Sequence, residues 1–249
     1  MRALARPGVH RQKLRLLLLL PPGKRRRRPS RHQQNVRRRQ QKADGTQQSL
    51  QKDNAASQEA AFLSAYPSSF YDRETELVAR DLLGAVLRVE RDGVVTSGRI
   101  IETEAYLGPH DPACHAVAGR TARTWHLFGP PGVAYVYFIY GVHWCVNAVT
   151  REEGFGSAVL IRAIEPIEGI DIIRSRRPRA RRDIDLANGP GKVCAALGID
   201  RSMDGLPLTG GSPITIYPGV VVDDANVRIG PRVGISKAVE WPLRFRVVG

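Results

Sequence analysis

The dipeptide Asp92-Gly93 constrains this chain more than any other feature, because it divides two strand-like runs, Ala85 to Arg91 and Val94 to about Tyr106. Two such runs joined by two residues that tolerate positive φ form a β-hairpin, so the chain should carry an antiparallel sheet. The theme recurs further along. Val133 to Tyr140, rich in Val and Tyr, reads as a strand, Gly141 as a turn, Trp144 to Thr150 as the return, and Ser157 to Ile164 as a further strand. Ile214 to Tyr217, Val227 to Ile235 and Leu243 to Val248 add strands among Gly/Pro-rich connections. Helices are fewer. Asp72 is the candidate N-cap of one that carries Leu77, Val78, Leu82 and Leu83 and stops at Gly84. Ile167, Ile170 and Ile173 lie at helical spacing, and a short helix opens at Pro190, with Asn188 as candidate cap, and ends at Gly198. Hairpins with a few helices and no internal repeat predict one α+β domain: a curved, mostly antiparallel sheet, flanking helices and a protruding β-hairpin.

That domain should not occupy the whole chain. Of the net charge of +14, residues 1–60 hold 16 Lys+Arg against 3 Asp+Glu, whereas residues 61–249 hold 22 against 21. The first segment is rich in Arg, Gln, Pro and Ser and lacks apolar periodicity, so it is expected to be a disordered basic tail, with order beginning near Phe62 and a domain over 61–249. Such a tail is a solvated leader, an upstream extension from a wrongly chosen start codon, or a non-specific nucleic-acid arm. Its longest leucine run, Leu16 to Leu20, is far below the ~20 residues that span a bilayer. Pro21-Pro22-Gly23-Lys24 stands where a signal peptide would have small residues. Cys114, Cys145 and Cys194 are odd in number and widely spaced, which fits a reduced intracellular protein without disulfides, without zinc and without a membrane.

Period-2 alternation puts Glu102, Glu104 and Tyr106 on one strand face, running into a loop that holds His110, Asp111 and His115. This is either a solvated face or the edge of a cleft. Tyr135 and Tyr137 share a face while Tyr140 takes the hairpin tip; core packing accounts for them, and so do a stacking platform and an inserted wedge on nucleic acid. Asn147 and Arg162 interrupt apolar runs, and a buried polar group without a partner costs about 1–3 kcal/mol. Arg162 either pairs with Glu104 or lines a site. Asn188-Gly189-Pro190-Gly191-Lys192 before a helix is either a plain helix start or a phosphate cradle, and it is not a Walker A sequence. The His and Cys residues lack metal-ligand spacing, and no G-x-S-x-G, H-E-x-x-H or G-x-G-x-x-G occurs.

Glu102-Thr103-Glu104-Ala105-Tyr106-Leu107-Gly108-Pro109, Ala116 to Arg120, Tyr135 to Gly141, Leu160 to Pro166 and Asn188 to Lys192 resemble, in order and spacing, the alkyladenine (3-methyladenine) DNA glycosylases, as does Pro242-Leu243-Arg244-Phe245. The resemblance covers about residue 68 to the C-terminus. It implies a monomeric, monofunctional base-excision enzyme without metal or cofactor, acting on double-stranded DNA that contains damaged purines. Its β-hairpin would enter the minor groove and flip out the damaged nucleotide. By the same resemblance, Glu104 is the general base that activates water, and Arg162 and the Val233 carbonyl help to hold that water. Tyr106, His115 and Tyr137 sandwich the flipped base, Tyr140 is the wedge, and Asn147 disfavours guanine by crowding its exocyclic amine. The place of action would be the cytoplasm, at the nucleoid in a bacterium, or the nucleus in a eukaryote. The chemistry is consistent: flipping is cheapest for a damaged base, an alkylated purine is already a good leaving group, and one carboxylate suffices. Lys192 and Lys237 are the only lysines beyond residue 60 and match no catalytic position, so no amine nucleophile for strand cleavage is expected. Two other readings stand beside this one: a non-catalytic, structure-specific nucleic-acid-binding protein, and a hydrolase of small N-glycosides.

Overall fold

The computed structural model describes residues 64–248, so the basic segment 1–60 and the boundary near Phe62 lie outside the described residues. Strands β1 (Val86–Arg91) and β2 (Val94–Tyr106) form the hairpin that Asp92-Gly93 demands, both turn residues having positive φ. Strands β3 (Ala134–Ile139) and β4 (His143–Thr150) form a second hairpin, and β5 (Ser157–Glu168) returns from it. With β6 (Ile214–Tyr217), the sheet order is β3-β4-β5-β2-β1-β6. Strands β7 (Val227–Gly230) and β8 (Arg244–Val247) fold onto β2, where β8 pairs with residues 102–104. Every pairing among these named strands is antiparallel, and the sheet curls on itself. The α+β architecture follows from the hairpin signals as expected.

Helices α1 (Ser68–Tyr71), α2 (Thr75–Asp81), α3 (Ile170–Arg176) and α4 (Pro190–Leu197) complete the frame. Alternation along the strands divides the buried residues between two faces. Ile100, Ala105, Val136, Val146, Ala148, Val159 and Ile161 join Val78, Ala79, Leu82, Val193 and Leu197 of the helices in the main core. Tyr135, Val149 and Ala158 belong to a second, smaller cluster with Cys114, Leu127 and Phe128, flanked by Tyr106 and Tyr137. Thr103 marks the division, its hydroxyl donating to the Ala79 carbonyl of α2 at 2.8 Å. Its neighbours Glu102 and Glu104 point the other way, which leaves the face away from α2 free to build a site.

Several local expectations need correction. The helix after Asp72 begins at Thr75 with Glu74 at its N-cap, because residues 68–71 already form a separate turn of helix. The helix ends at Asp81 with Leu82 at its C-cap, short of the expected stop, and Gly84 closes the turn after it, where φ is +86° and a Cβ would lie 2.0 Å from the Val220 carbonyl oxygen. Of the three isoleucines, Ile167 belongs to β5, so helix α3 holds only Ile170 and Ile173. Asn188 does not cap α4. Gly189 takes that position, while Asn188 accepts a hydrogen bond from Lys192 Nζ at 2.6 Å and donates to Asp185. The strand expected over 227–235 stops at Gly230, since Pro231 cannot donate to a ladder.

Candidate active site

Glu104 is fully buried behind the wall of a cleft that its hydrogen-bond partners Tyr106, Arg162 and Val233 help to line. Its Oε1 accepts the Val233 backbone N–H at 2.7 Å, and its Oε2 accepts the Tyr106 hydroxyl at 3.0 Å and Arg162 Nη1 at 3.3 Å. A carboxylate has about four acceptor sites, so these three bonds leave roughly one open. Burial pushes the Glu104 carboxyl above the ordinary carboxylate range, against the opposing pull of Arg162, the Val233 N–H and the Tyr106 hydroxyl. Arg162 is oriented from both sides, its Nε donating to Glu102 Oε1 at 3.2 Å, and Arg244 of β8 reaches the same oxygen at 3.5 Å.

The cleft above Glu104 measures about 920 Å³ and is lined by Tyr106, His115, Tyr137, Tyr140, Asn147, Arg162 and Val233, among others. The structure therefore brings Tyr106, His115, Tyr137, Tyr140, Asn147, Arg162 and Val233 to one cavity, with Glu104 buried just behind its wall, whereas Glu102, His110 and Asp111 do not line it. The His115 ring meets Tyr137 edge to face, centroids 4.6 Å apart, and its Nδ1 lies 2.9 Å from the Tyr135 hydroxyl. Burial, with the nearby Arg123 cation, lowers the His115 pKa and favours a neutral imidazole. Burial likewise raises the Tyr106 and Tyr137 phenols, keeping both rings uncharged. Asn147 is buried and donates from Nδ2 to the Tyr135 carbonyl at 3.0 Å. That bond fixes the amide orientation and accounts for a polar residue in an apolar strand. Tyr140 stands at the tip of the β3–β4 hairpin, 78% exposed, with φ +54°. A non-glycine residue in the left-handed region is a mild strain that the following Gly141, also at positive φ, helps the turn to carry.

Sequence reasoning missed Arg123, Arg177 and Arg232. Arg123 stands 5.9 Å from the Tyr137 ring centroid and lines the cleft with Arg177, Lys192 and Lys237, a cationic rim above an aromatic interior. Arg232 packs its guanidinium 4.7 Å over Tyr106. Arg123 lies in no periodic run, and nothing in the expected strand over 227–235 directs Arg232 inward. Arg177 sits in an arginine-dense stretch that could only be assigned to the surface. Val233 contacts Glu104 through its N–H, on a loop rather than a strand. Among the described residues, no group of three or more His, Cys, Asp or Glu is placed to hold a metal ion, and no helix is long and apolar enough to cross a membrane.

A curled antiparallel sheet buries Glu104 beneath an aromatic, cation-rimmed cleft, beside a hairpin tipped by an exposed tyrosine, and the family that the chain matches makes it a DNA repair glycosylase. The sequence profile of methylpurine-DNA glycosylase (MPG) matches residues 69–249, and the chain belongs to that family. It is 49% identical over 185 residues to a protein of Myxococcus xanthus, covering 73% of this chain and 89% of the relative. A Salinibacter ruber protein is 48% identical over 193 residues, covering 73% and 92%, and one from Methanocella arvoryzae is 47% identical over 178 residues, covering 72% and 88%. All three relatives are named, by assignment, 3-methyladenine DNA glycosylases.

Proposed function

We propose that this protein acts as a monomer on double-stranded DNA, flips alkylated or deaminated purines into the cleft, and hydrolyses the N-glycosidic bond to leave an abasic site. Glu104 takes the proton of the attacking water as the bond between C1′ and the base nitrogen breaks, and the base departs with the bonding electrons. Arg162 keeps the carboxylate ionised and aimed, with Val233 beside it. Tyr106 on one wall and His115 with Tyr137 on another stack the flipped base. For an N3- or N7-alkylated purine, the positive ring gains a cation–π attraction of roughly 0.5–2 kcal/mol. A neutral imidazole at His115 avoids repelling such a cation. Asn147, its amide held by Tyr135, stands where the exocyclic amine of guanine would crowd, and Tyr140 fills the vacated stack. The names of the relatives favour 3-methyladenine as one substrate.

The observation that carries this reading is the buried Glu104 carboxylate with one acceptor site open, in contact with the wall of an aromatic cleft. One base and one water suffice for a leaving group that is already activated. Among the described residues no lysine hydrogen-bonds to Glu104, so strand cleavage through an amine is not part of the proposal. The deciding assay uses duplexes carrying one lesion each (3-methyladenine, 7-methylguanine, hypoxanthine or ethenoadenine). Excision should leave the strand intact until alkali cleaves it at the abasic site. Binding without any alkali-labile product would return the protein to a non-catalytic DNA-binding role, and cleavage before alkali would overturn the monofunctional assignment.

A further inference from the structure

Behind the cleft lies an ion pair that the chemistry above leaves unused. Asp111 and Arg232 are both completely buried. Arg232 Nη2 donates to Asp111 Oδ1 at 2.8 Å, while Nη1 donates to the other carboxylate oxygen and, at 3.0 Å, to the Ala105 carbonyl. Asp111 also accepts the Leu107 and Ala113 backbone N–H groups at 3.2 and 3.0 Å. Two stretches remote in sequence thus meet at one guanidinium: the end of β2 with the loop from Leu107 to His115 that continues it, and the loop after β7. The flat face of that guanidinium supports the Tyr106 ring, and the next residue along the chain, Val233, donates to Glu104.

Stability alone is a poor account of this pair. Burying two charges costs desolvation that their attraction often fails to repay. Arg232 Nε is moreover a buried donor that finds no acceptor among the described residues. What the pair does supply is position, since a bidentate, stacked guanidinium has little freedom to shift. We infer that Arg232 is a positioning residue for excision: locked to Asp111, it holds the Tyr106 wall of the cleft from behind and keeps the Val233 N–H on the Glu104 carboxylate. This rests on the proposed role of Glu104, so Glu104→Gln is measured alongside.

The test is single-turnover excision by the full chain across a pH range, with lesion affinity and melting temperature on the same preparations. Glu104 titrates among Glu102 and Tyr106 on its own strand, Arg162 of β5, and Arg232 on the loop after β7, with Arg244 of β8 against Glu102. Arg232→Lys keeps a cation for Asp111 but can neither bridge both oxygens nor lie flat on Tyr106. It should lower the saturated rate by about tenfold or more, toward the ~10²-fold that a 1 Å misplacement costs. A slackened Val233 N–H stabilises the Glu104 anion less, so the acid limb of the rate profile should move to higher pH by about half a unit. The double variant Asp111→Asn/Arg232→Met, which removes both charges, should show the same displaced limb with melting retained. An unmoved limb and an unchanged rate in a folded variant would overturn the inference, as would failure of both variants to fold, which would make the pair a folding requirement. If instead Glu104→Gln excises normally, it is the role of Glu104 that fails, whatever Arg232→Lys does.

Discussion

Glu104→Gln separates chemistry from structure more sharply than any other substitution in this protein. The amide keeps the volume and can still accept the Val233 N–H, but it cannot take a proton from water. Loss of a general base typically costs ~10²–10⁴ in rate, so single-turnover excision should fall by at least the lower figure. The structure also fixes the expected effect on stability. Because the Glu104 carboxyl titrates above the ordinary range, the fold binds its proton more tightly than the unfolded chain does. Ionisation of Glu104 therefore subtracts from stability: the contribution is fully present below the unfolded carboxyl pKa and is lost as pH rises through the folded value. Removing the charge at neutral pH relieves that cost. That upward shift is already net of the pull of the Arg162 ion pair, so the amide removes a charge the fold does not favour while keeping a weaker hydrogen-bond partner for Arg162. The melting temperature should therefore not fall by more than a few degrees, at about 2–4 °C per kcal/mol. Lesion affinity should hold or rise, since a buried anion near the DNA phosphates disappears. Thermal melting, equilibrium binding and excision on one preparation give the answer. A variant that excises within tenfold of wild type sinks the mechanism. A rate lost together with melting and affinity would make Glu104 a structural partner of Arg162 instead.

Arg162→Gln removes the main influence holding the Glu104 pKa down, so the acid limb of the excision profile should move to higher pH; a limb that stays put would detach Arg162 from Glu104 chemistry. Tyr140→Ser should impair excision from duplex far more than from single-stranded DNA, because only a duplex has a stack to plug, and equal losses would reduce Tyr140 to a turn residue. Asn147→Ser, which shortens the amide held by Tyr135, should raise release of undamaged guanine, read as alkali-labile sites in lesion-free duplex. Deleting residues 1–60 removes 16 Lys+Arg and should lower the log–log salt slope of non-specific binding by about 0.9 per lost phosphate contact, while the saturated excision rate survives.

The parts of the molecule legible in the sequence are those that depend on local periodicity and turn chemistry. Asp92-Gly93 announced a hairpin because both residues tolerate positive φ, and Tyr135 and Tyr137 share a face because a strand alternates. Glu102, Glu104 and Tyr106 were grouped for the same reason, and Arg162 indeed reaches both acids. Illegible were contacts made by chain closure. Nothing between Pro231 and Gly234 says that Arg232 will travel to Asp111, 121 residues away in sequence, and be buried there. The helix start at Thr75 was misplaced because Asp72 has the right side chain for a cap, yet it lies between two helical segments and its N–H closes the earlier turn onto Ser68.

One irregularity explains how a regular sheet comes to aim two acids and an arginine at a single point. Between Ile100 and Glu102 the pairing of β2 with β5 advances two residues on β2 for one on β5, and between Glu102 and Thr103 it advances two on β5 for one on β2. Ile101 and Arg162 are the residues left over, one on each strand. A one-residue slip moves every later side chain to the opposite face. Here both strands slip within the same few residues, so their ladder resumes in step. Below the double bulge, Ile100 and Ile164 point into the main core; above it, Thr103 and Ile161 do so, and Glu104 is turned to the cleft. Without the slip, the alternation set by Ile100 would carry Glu102 and Glu104 into the apolar core against α2, where no cation waits for them. Bulges concentrate beside functional sites because they re-aim side chains in this way. The unpaired residue of β5 is Arg162 itself, which bridges Glu102 and Glu104. The bulge in the ladder and the charge in the cleft are thus one feature of the fold.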